Sequence, residues 1–104
     1  MYLLNAFSLN MLEIAGPVEI SIYPKTLEWV RERLRNGFTS AIGHESTAKV
    51  LKNMLGVSVP VNRVTVKLKH YDDAIVAQYI GPRLPEGATE LPEGAEIRFY
   101  LVRV

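Results

Sequence analysis

The sequence contains no cysteine, and this absence removes several kinds of chemistry at once. Disulfide bonds, zinc sites built on thiolates and cysteine nucleophiles are all excluded. Only two histidines are present, and no spacing typical of metal ligands accompanies them. We therefore expect neither a bound metal nor a cofactor, and any chemistry must rely on histidine, arginine, carboxylates, hydroxyls and backbone amides.

The chain also lacks a large charge of one sign and a long apolar run. Its 12 Lys and Arg residues against 11 Asp and Glu residues give a net charge of +1, whereas a long nucleic-acid partner usually requires a strongly basic surface. No stretch reaches the roughly 20 apolar residues of a membrane span, and the N-terminus has no basic region typical of a signal peptide. We expect a cytoplasmic protein without membrane contact. The near-neutral charge disfavours a long nucleic acid, but it does not disfavour a small anionic ligand bound by a few arginines.

The hydrophobic pattern predicts a single α/β domain over residues 1–104, because strands and helices interleave along the chain. Helical spacing predicts one helix opened by Pro24 and stopped at 36–37, and a second over 48–55 ended by Gly56. Val64, Val66 and Leu68 alternate with polar residues and predict a hairpin of 64–69 with 74–80. Other strands are predicted at 2–7, 18–22, 39–42 and 97–102. The expected architecture is a mixed, mostly antiparallel β-sheet flanked by helices.

The most informative motif is Gly43-His44-Glu45-Ser46-Thr47, placed where an irregular segment becomes the second helix. The first amides of a helix lack intrahelical partners and its N-terminus carries positive potential, so this end binds anions, phosphate above all. A histidine beside a bound phosphate can give or take protons near neutral pH. The alternative is structural, with His44 capping the helix and its ring hydrogen-bonded. Local sequence leaves both interpretations open.

Other polar residues permit both a functional and a structural interpretation. Asn5 and Ser8 flank a strand-to-helix junction, where both could bind a ribose, a base edge or a phosphate. In the structural interpretation, Asn5 is an amide at the end of a strand and Ser8 is the N-cap of a helix. Arg63 and Arg83 carry the donor fork that phosphate recognition favours, or else are solvated surface arginines. Gln78 lies on an otherwise apolar strand, where burial would require a polar network or a ligand.

The sequence Leu-Pro-Glu-Gly occurs at 84–87 and again at 91–94, within a long Pro- and Gly-containing loop. Two copies are too few for a repeat architecture, but loops longer than about 12 residues are often functional, commonly as lids. Glu86 and Glu93 occupy equivalent places in the two copies, so local sequence does not choose between them. His70 is expected to be an exposed turn histidine.

Four segments, in this order and nearly end to end, together resemble one protein family. They are Asn5-Ala6-Phe7-Ser8-Leu9-Asn10-Met11, Ala41-Ile42-Gly43-His44-Glu45-Ser46-Thr47, Asn62-Arg63-Val64, and Gln78 through Gly87. They are similar to the ring nucleases that act as type III anti-CRISPR proteins in archaeal viruses and phages, and to cellular relatives on bacterial mobile elements.

This resemblance implies an intertwined homodimer with a two-fold symmetric pocket for cyclic tetra-adenylate, the second messenger of type III CRISPR complexes. The implied reaction is metal-independent cleavage to linear di-adenylate with a 2′,3′-cyclic phosphate, in the host cytoplasm if the protein is viral. The family's catalytic histidine matches His44, and we assign catalytic roles to Arg83 and Glu86 as well. The ligand contacts match Asn5, Ser8, Arg63, Gln78, Arg83 and Glu86.

Two departures from the family pattern concern the rim of that pocket. The spacing from Gln78 to Arg83 is one residue longer than in the archaeal viral members, and a second Leu-Pro-Glu-Gly replaces the helix that some relatives carry. Two other functions stay open: a module that sequesters or senses a cyclic nucleotide without cleaving it, and a nucleic-acid-binding regulator of a virus or mobile element. The near-neutral charge disfavours the regulator.

Overall fold

A computed structural model describes all 104 residues, which form a five-stranded sheet and two helices. The strands are β1 (Tyr2–Leu4), β2 (Ser21–Lys25), β3 (Thr39–Ala41), β4 (Asp73–Ile80) and β5 (Glu96–Arg103). The helices are α1 (Leu27–Leu34) and α2 (Glu45–Leu55), and a short 3-10 helix covers Leu9–Met11. The predicted α/β class is confirmed. Neither helix has the length and apolarity needed to cross a bilayer.

The sheet is mixed, with the strand order β2-β5-β4-β1-β3. β1 lies between β3 and β4 and is parallel to both, while β5 lies between β2 and β4 and is antiparallel to both. The antiparallel pairings are the longer ones, in agreement with the sequence prediction. Because β1, β3 and β4 run in the same direction, their carboxyl ends share one edge of the sheet. In open α/β sheets, this is the edge at which ligands bind.

Both helices pack on the same face of the sheet. Successive residues of β4 point to opposite faces, so Ile75 joins the core under the helices and Val76 joins a second core on the other face. The helix-side core contains Leu3, Val30, Leu34, Leu51, Leu55, Ile75 and Leu101. The opposite face is covered by loops, and its core contains Leu4, Val66, Leu68, Val76, Val102 and Val104. The prediction that helices flank the sheet therefore holds for one face only.

The predicted hairpin of 64–69 with 74–80 is wrong. Residues 64–69 form no strand, and within them only Leu68 makes an isolated bridge, to Leu12. Both edges of β4 are already paired, with β1 and with β5, so no edge remains for the preceding segment. Two of the three alternating apolar residues, Val66 and Leu68, are buried in the loop-side core without forming a strand. The third, Val64, is exposed.

The start of the chain also differs from the prediction. β1 ends at Leu4 and not at residue 7, and β2 covers Ser21–Lys25 and not 18–22. Pro24 lies inside β2 and does not open the helix. β2 is an edge strand, the place in a sheet where proline is tolerated. The helix begins instead after its N-cap, Thr26, whose Oγ1 accepts a hydrogen bond from the Trp29 amide at 3.1 Å.

The predictions for β3, α2 and β5 are confirmed to within a few residues. Helix α2 buries the apolar stripe Val50, Leu51 and Leu55, as the 3.6-residue period requires. Gly56 ends the helix in the left-handed conformation, with φ of +68°, and its amide donates to the Lys52 carbonyl. This short, well-defined helix fixes the position of the His44 motif at its first turn.

Ser40 is the one buried polar residue, and it ties the segment 60–63 to the end of β3. Its Oγ donates to the Pro60 carbonyl at 2.6 Å and accepts from the Ile42 amide at 3.3 Å. Asn62 donates through Nδ2 to the Ser40 carbonyl at 2.7 Å, and through its backbone amide to the Ile42 carbonyl at 2.9 Å. These hydrogen bonds fix the position of the next residue, Arg63, beside the carboxyl ends of the parallel strands.

We predict that Ser40→Ala lowers the free energy of unfolding by about 1–3 kcal/mol, because the buried Ile42 amide and the Pro60 carbonyl both lose their partner. Urea denaturation measures the difference. Ser58→Ala is the matched control, since Ser58 is exposed, and we expect it to stay within about 0.5 kcal/mol of the parent protein. Equal stability of the two variants would contradict the role given to Ser40.

Candidate functional site

The candidate site lies at the shared carboxyl edge of the three parallel strands. Asn5 follows β1 directly, His44 follows β3 after two residues, and Arg83 follows β4 after two residues. Since these strands are parallel neighbours, the segments that leave them start from the same side of the sheet. The topology therefore brings together residues that are far apart in the sequence.

One cavity of about 670 Å³ collects most of the predicted catalytic and binding residues. The start of α2, Arg63 and the loop after β4 form its wall. The lining residues are His44, Glu45, Ser46, Thr47, Arg63, Arg83, Leu84, Pro85, Glu86 and Gly87. His44, Arg63, Arg83 and Glu86 are all exposed, so their functional groups are open to a ligand.

His44 is the N-cap residue of α2, but its side chain makes no capping hydrogen bond. The first α2 amide with an intrahelical acceptor is that of Ala48, which donates to the His44 carbonyl at 3.0 Å. The amides of Glu45, Ser46 and Thr47 therefore have no acceptor within the chain. The interpretation of His44 as a hydrogen-bonded cap is wrong, because the ring is free beside three open donors.

The two arginines of the cavity carry charge that no carboxylate of the chain neutralises. Arg63 donates through Nε to the Gly43 carbonyl at 2.8 Å, which fixes the guanidinium and leaves its terminal nitrogens available. Arg83 makes no hydrogen bond or ion pair. By contrast, the arginines at 35, 98 and 103 pair with carboxylates, and in Arg98 and Arg103 these partners raise the pKa of the guanidinium.

The carboxylates of the cavity differ in their pairing. Glu45 meets Lys49 one turn along α2, at 3.1 Å between Oε1 and Nζ. Glu86 forms no salt bridge. The cavity thus contains one free carboxylate, two free cations and a free imidazole, a set suited to an anionic ligand with hydroxyl groups.

Two contacts hold the loop 81–95 against α2. The Gly87 amide donates to Ser46 Oγ at 3.0 Å, and Asn53 Nδ2 donates to the Thr89 carbonyl at 2.7 Å. Ser46 was part of the predicted motif, whereas sequence reasoning missed Asn53. The available signal was its spacing, since residues seven apart lie on the same face of a helix.

The repeated Leu-Pro-Glu-Gly sequence forms the same turn twice. The Ala88 amide donates to the Pro85 carbonyl at 3.1 Å, and the Ala95 amide donates to the Pro92 carbonyl at 3.0 Å. Gly87 and Gly94 both have φ of +80°, the third-position conformation that a type II turn requires of glycine. Only the first turn contributes to the cavity lining, so the structure places Glu86 there and not Glu93.

The remaining predicted residues do not line this cavity. Asn5 lines an adjoining cavity of about 490 Å³, which shares His44 and Arg63 with the first. Ser8 lines neither of the two cavities, and its Oγ caps the 3-10 helix by accepting from the Asn10 amide at 3.3 Å. No group of three or more His, Asp or Glu side chains is placed to hold a metal ion.

Gln78 is exposed, so the expectation that it is a buried amide in need of partners is wrong. It continues the loop-side face of β4 beyond Val76 and lines a separate, mostly apolar groove. The groove residues are Phe7, Ile22, Val76, Gln78, Tyr100 and Val102. Within one chain, therefore, Ser8 and Gln78 are not brought to the His44 cavity.

Comparison with known proteins gives a consistent set of relatives. The chain is 37% identical over 90 residues to protein 26 of Sulfolobus islandicus filamentous virus, covering 84% of this chain and 73% of that protein. It is 32% identical over 100 residues to YddF of Bacillus subtilis, covering 90% and 92%.

A solved structure, B116 of Sulfolobus turreted icosahedral virus, superposes with a TM-score of 0.84 at 32% identity, covering 99% of this chain and 97% of that chain. The model of the STIV B116-like family matches residues 1–101. Relatives thus occur in archaeal viruses and in a bacterium. On its sequence and its fold, this chain belongs to the STIV B116-like family.

Proposed function

We propose that the protein is a metal-independent ring nuclease that cleaves cyclic tetra-adenylate to linear di-adenylate ending in a 2′,3′-cyclic phosphate. The observation that carries the proposal is a single cavity that holds the free ring of His44, two arginines without carboxylate partners, a free carboxylate and the open amides of α2. The motif resemblance to the ring nucleases supplies the identity of the substrate.

In this reaction the nucleophile belongs to the substrate. The ribose 2′-hydroxyl attacks the adjacent phosphorus in line and releases its proton to solvent, while the bond from phosphorus to the 5′-oxygen of the next nucleotide breaks and that oxygen takes a proton from the protein, which solvent then restores. The products are a 2′,3′-cyclic phosphate and a free 5′-hydroxyl. The protein contributes alignment, stabilisation of the phosphorane charge and a proton for the leaving oxygen.

The residues of the cavity match these three tasks. The open amides at 45–47 and the guanidinium of Arg83 stabilise the negative charge of the phosphorane. The guanidinium of Arg63 is held in place by its hydrogen bond to the Gly43 carbonyl and binds a phosphate through its terminal nitrogens. His44 donates the proton to the 5′-oxygen. Glu86 accepts a hydrogen bond from the attacking 2′-hydroxyl and so orients it.

We propose further that the active form is a homodimer. A ring of four nucleotides has two opposite linkages, and a two-fold dimer offers one His44 to each of them. The apolar groove beside Gln78 supports this arrangement, because Ile22 is 56% exposed there although it is a large apolar residue. Ser8 and Gln78, which lie outside the cavity of one chain, then become available to a ligand held between two chains.

The first test replaces the proposed general acid. We predict that His44→Ala slows the cleavage of cyclic tetra-adenylate by about 10²- to 10⁴-fold, the usual contribution of general acid catalysis. Binding of the ring, measured by calorimetry, should be retained, because the arginines and amides are unchanged. His70→Ala is the matched control. His70 is an exposed turn residue outside the cavity, and its variant should cleave at the parent rate.

If His44→Ala cleaves cyclic tetra-adenylate at the rate of the parent protein, the mechanism is refuted. If the parent protein binds the ring but never cleaves it, the alternative of a sequestering or sensing module is correct, since binding needs the same arginines. Binding of duplex DNA in its place would favour the regulator of a virus or mobile element.

The two equivalent turns provide a second test with a built-in control. Glu86→Gln removes the carboxylate that lines the cavity, and we predict a fall in kcat of about tenfold or more, the loss expected when a hydrogen bond to a charged group, worth about 1.5–3 kcal/mol, is weakened. Glu93→Gln makes the same change in the second turn, outside the cavity, and should leave kcat within a factor of two. Single-turnover assays compare the two. Equal effects would mean that the position of Glu86 in the cavity has no catalytic consequence.

A further inference from the structure

We infer that Asn53, a residue outside the cavity, is a positioning residue that holds the loop 81–95 on α2 and thereby places Arg83 and Glu86 opposite His44. This inference rests on the proposed function and extends it to a residue that touches no reacting group. The contact itself is a hydrogen bond of 2.7 Å from Asn53 Nδ2 to the Thr89 carbonyl.

The loop has few other points of attachment. Its ends are set by the last β4–β5 pair, Ile80 with Glu96. Tyr79 donates its hydroxyl hydrogen to the Pro82 carbonyl near the start of the loop. Beyond residue 82, the only hydrogen bonds between the loop and the rest of the chain are those to Ser46 and to Asn53, while Leu84, Ala88, Leu91 and Pro92 are half-buried. The two turns at 85–88 and 92–95 stiffen the loop internally but do not fix its place.

Arg83 and Glu86 depend on those ties because their own side chains form no hydrogen bond or ion pair within the chain. Only the loop backbone determines where their charges lie relative to the α2 amides. Ordering loop residues costs conformational entropy, and a contact that orders them before the substrate binds reduces the cost of reaching the reactive arrangement.

Ser46 and Asn53 act as a pair along one helix face. They are seven residues apart, two turns of α2, so the two attachment points are separated by about 10 Å along the helix axis. Attachment at two points restricts the rotation of the loop segment 87–89 as well as its distance from the helix. Ser46 itself lines the cavity, so its substitution would alter the site directly, whereas Asn53 allows the positioning effect to be tested alone.

The first measurement is hydrogen exchange of the loop amides in the free protein, which does not depend on catalysis. Asn53→Ala removes the donor, and Asn53→Asp also places a carboxylate opposite the Thr89 carbonyl. We expect exchange in peptides covering 83–90 to become about three- to tenfold faster in Asn53→Ala, the effect of losing one hydrogen bond of ordinary strength, and faster still in Asn53→Asp. Lys52→Ala, a neighbouring exposed position on α2, should match the parent protein.

The second measurement is a kinetic double-mutant cycle. We expect Asn53→Ala to lower kcat about three- to tenfold and to raise KM less than threefold, because Arg63 and the α2 amides do not depend on the loop. In an Arg83→Gln, Glu86→Gln background the effect of Asn53→Ala on kcat should shrink to within a factor of two, since Asn53 acts through those two side chains. A merely structural role would give the same loss in both backgrounds.

Unchanged loop exchange in both Asn53 variants would overturn the inference. Faster exchange with unchanged kcat would also overturn it, because the loop would then move without affecting catalysis. A parent protein that does not cleave the ring would instead refute the proposed function, and the exchange data alone would then decide whether Asn53 holds the loop.

Discussion

The parallel pairing of β1 with β3 and β4 is the constraint on which the rest of the site depends. It points the carboxyl ends of three strands to one edge of the sheet, from which the chain continues to Asn5, to His44 and to Arg83. An all-antiparallel sheet of the same strands would send these residues to opposite edges. The candidate site is therefore a consequence of topology. Asn5, His44 and Arg83 are separated by steps of 39 residues in the sequence (44 − 5 and 83 − 44), and β1 brings them together because Tyr2 pairs with Thr39 on one side and with Ala74 on the other.

The site has two walls, one held by a buried hydrogen-bond network and one formed by a loop. They are called here the fixed wall and the attached wall. The fixed wall consists of the first turn of α2 and Arg63, and it is held by the buried Ser40 network and by the bond from Arg63 to the Gly43 carbonyl. The attached wall is the loop after β4, which contributes Arg83 and Glu86 and contacts α2 at Ser46 and Asn53. This division places His44, the proposed proton donor, and the helix amides on the part held by the Ser40 network, and it places Arg83 and Glu86 on the loop.

Sequence reasoning predicted the elements whose signals are local. The apolar stripe of α2, its closing Gly56 and the motif at its first turn identified the place of His44 correctly, because helix periodicity and capping are properties of neighbouring residues. The alternation at 64–69 predicted a strand paired with 74–80, which is wrong because pairing depends on which sheet edges are free. The alternation corresponds only to the burial of Val66 and Leu68. The prediction that Pro24 opens a helix follows from the preference of proline for the first helical position. Its actual place in β2 depends on that strand being at the edge of the sheet, which local sequence does not show.

The residues of the candidate site can be identified only from the family resemblance and the fold together. Identical local sequences surround Glu86 and Glu93. The family resemblance selects Glu86, and the fold brings the turn of Glu86 to the cavity and not the turn of Glu93. Gln78 and Ser8 matched the family motif as ligand contacts, yet in one chain they lie away from His44. The homodimer proposed above would reconcile these positions with a shared ligand, and a second chain is not visible in the pattern of a single sequence.

The central claim is that the His44 cavity cleaves a cyclic oligonucleotide without a metal, and product analysis tests it most directly. The purified protein is incubated with cyclic tetra-adenylate in the presence of EDTA, and the products are separated by chromatography and identified by mass. The account predicts complete conversion to linear di-adenylate carrying a 2′,3′-cyclic phosphate, at the same rate with and without the chelator. An intact ring, or cleavage that EDTA abolishes, would contradict it.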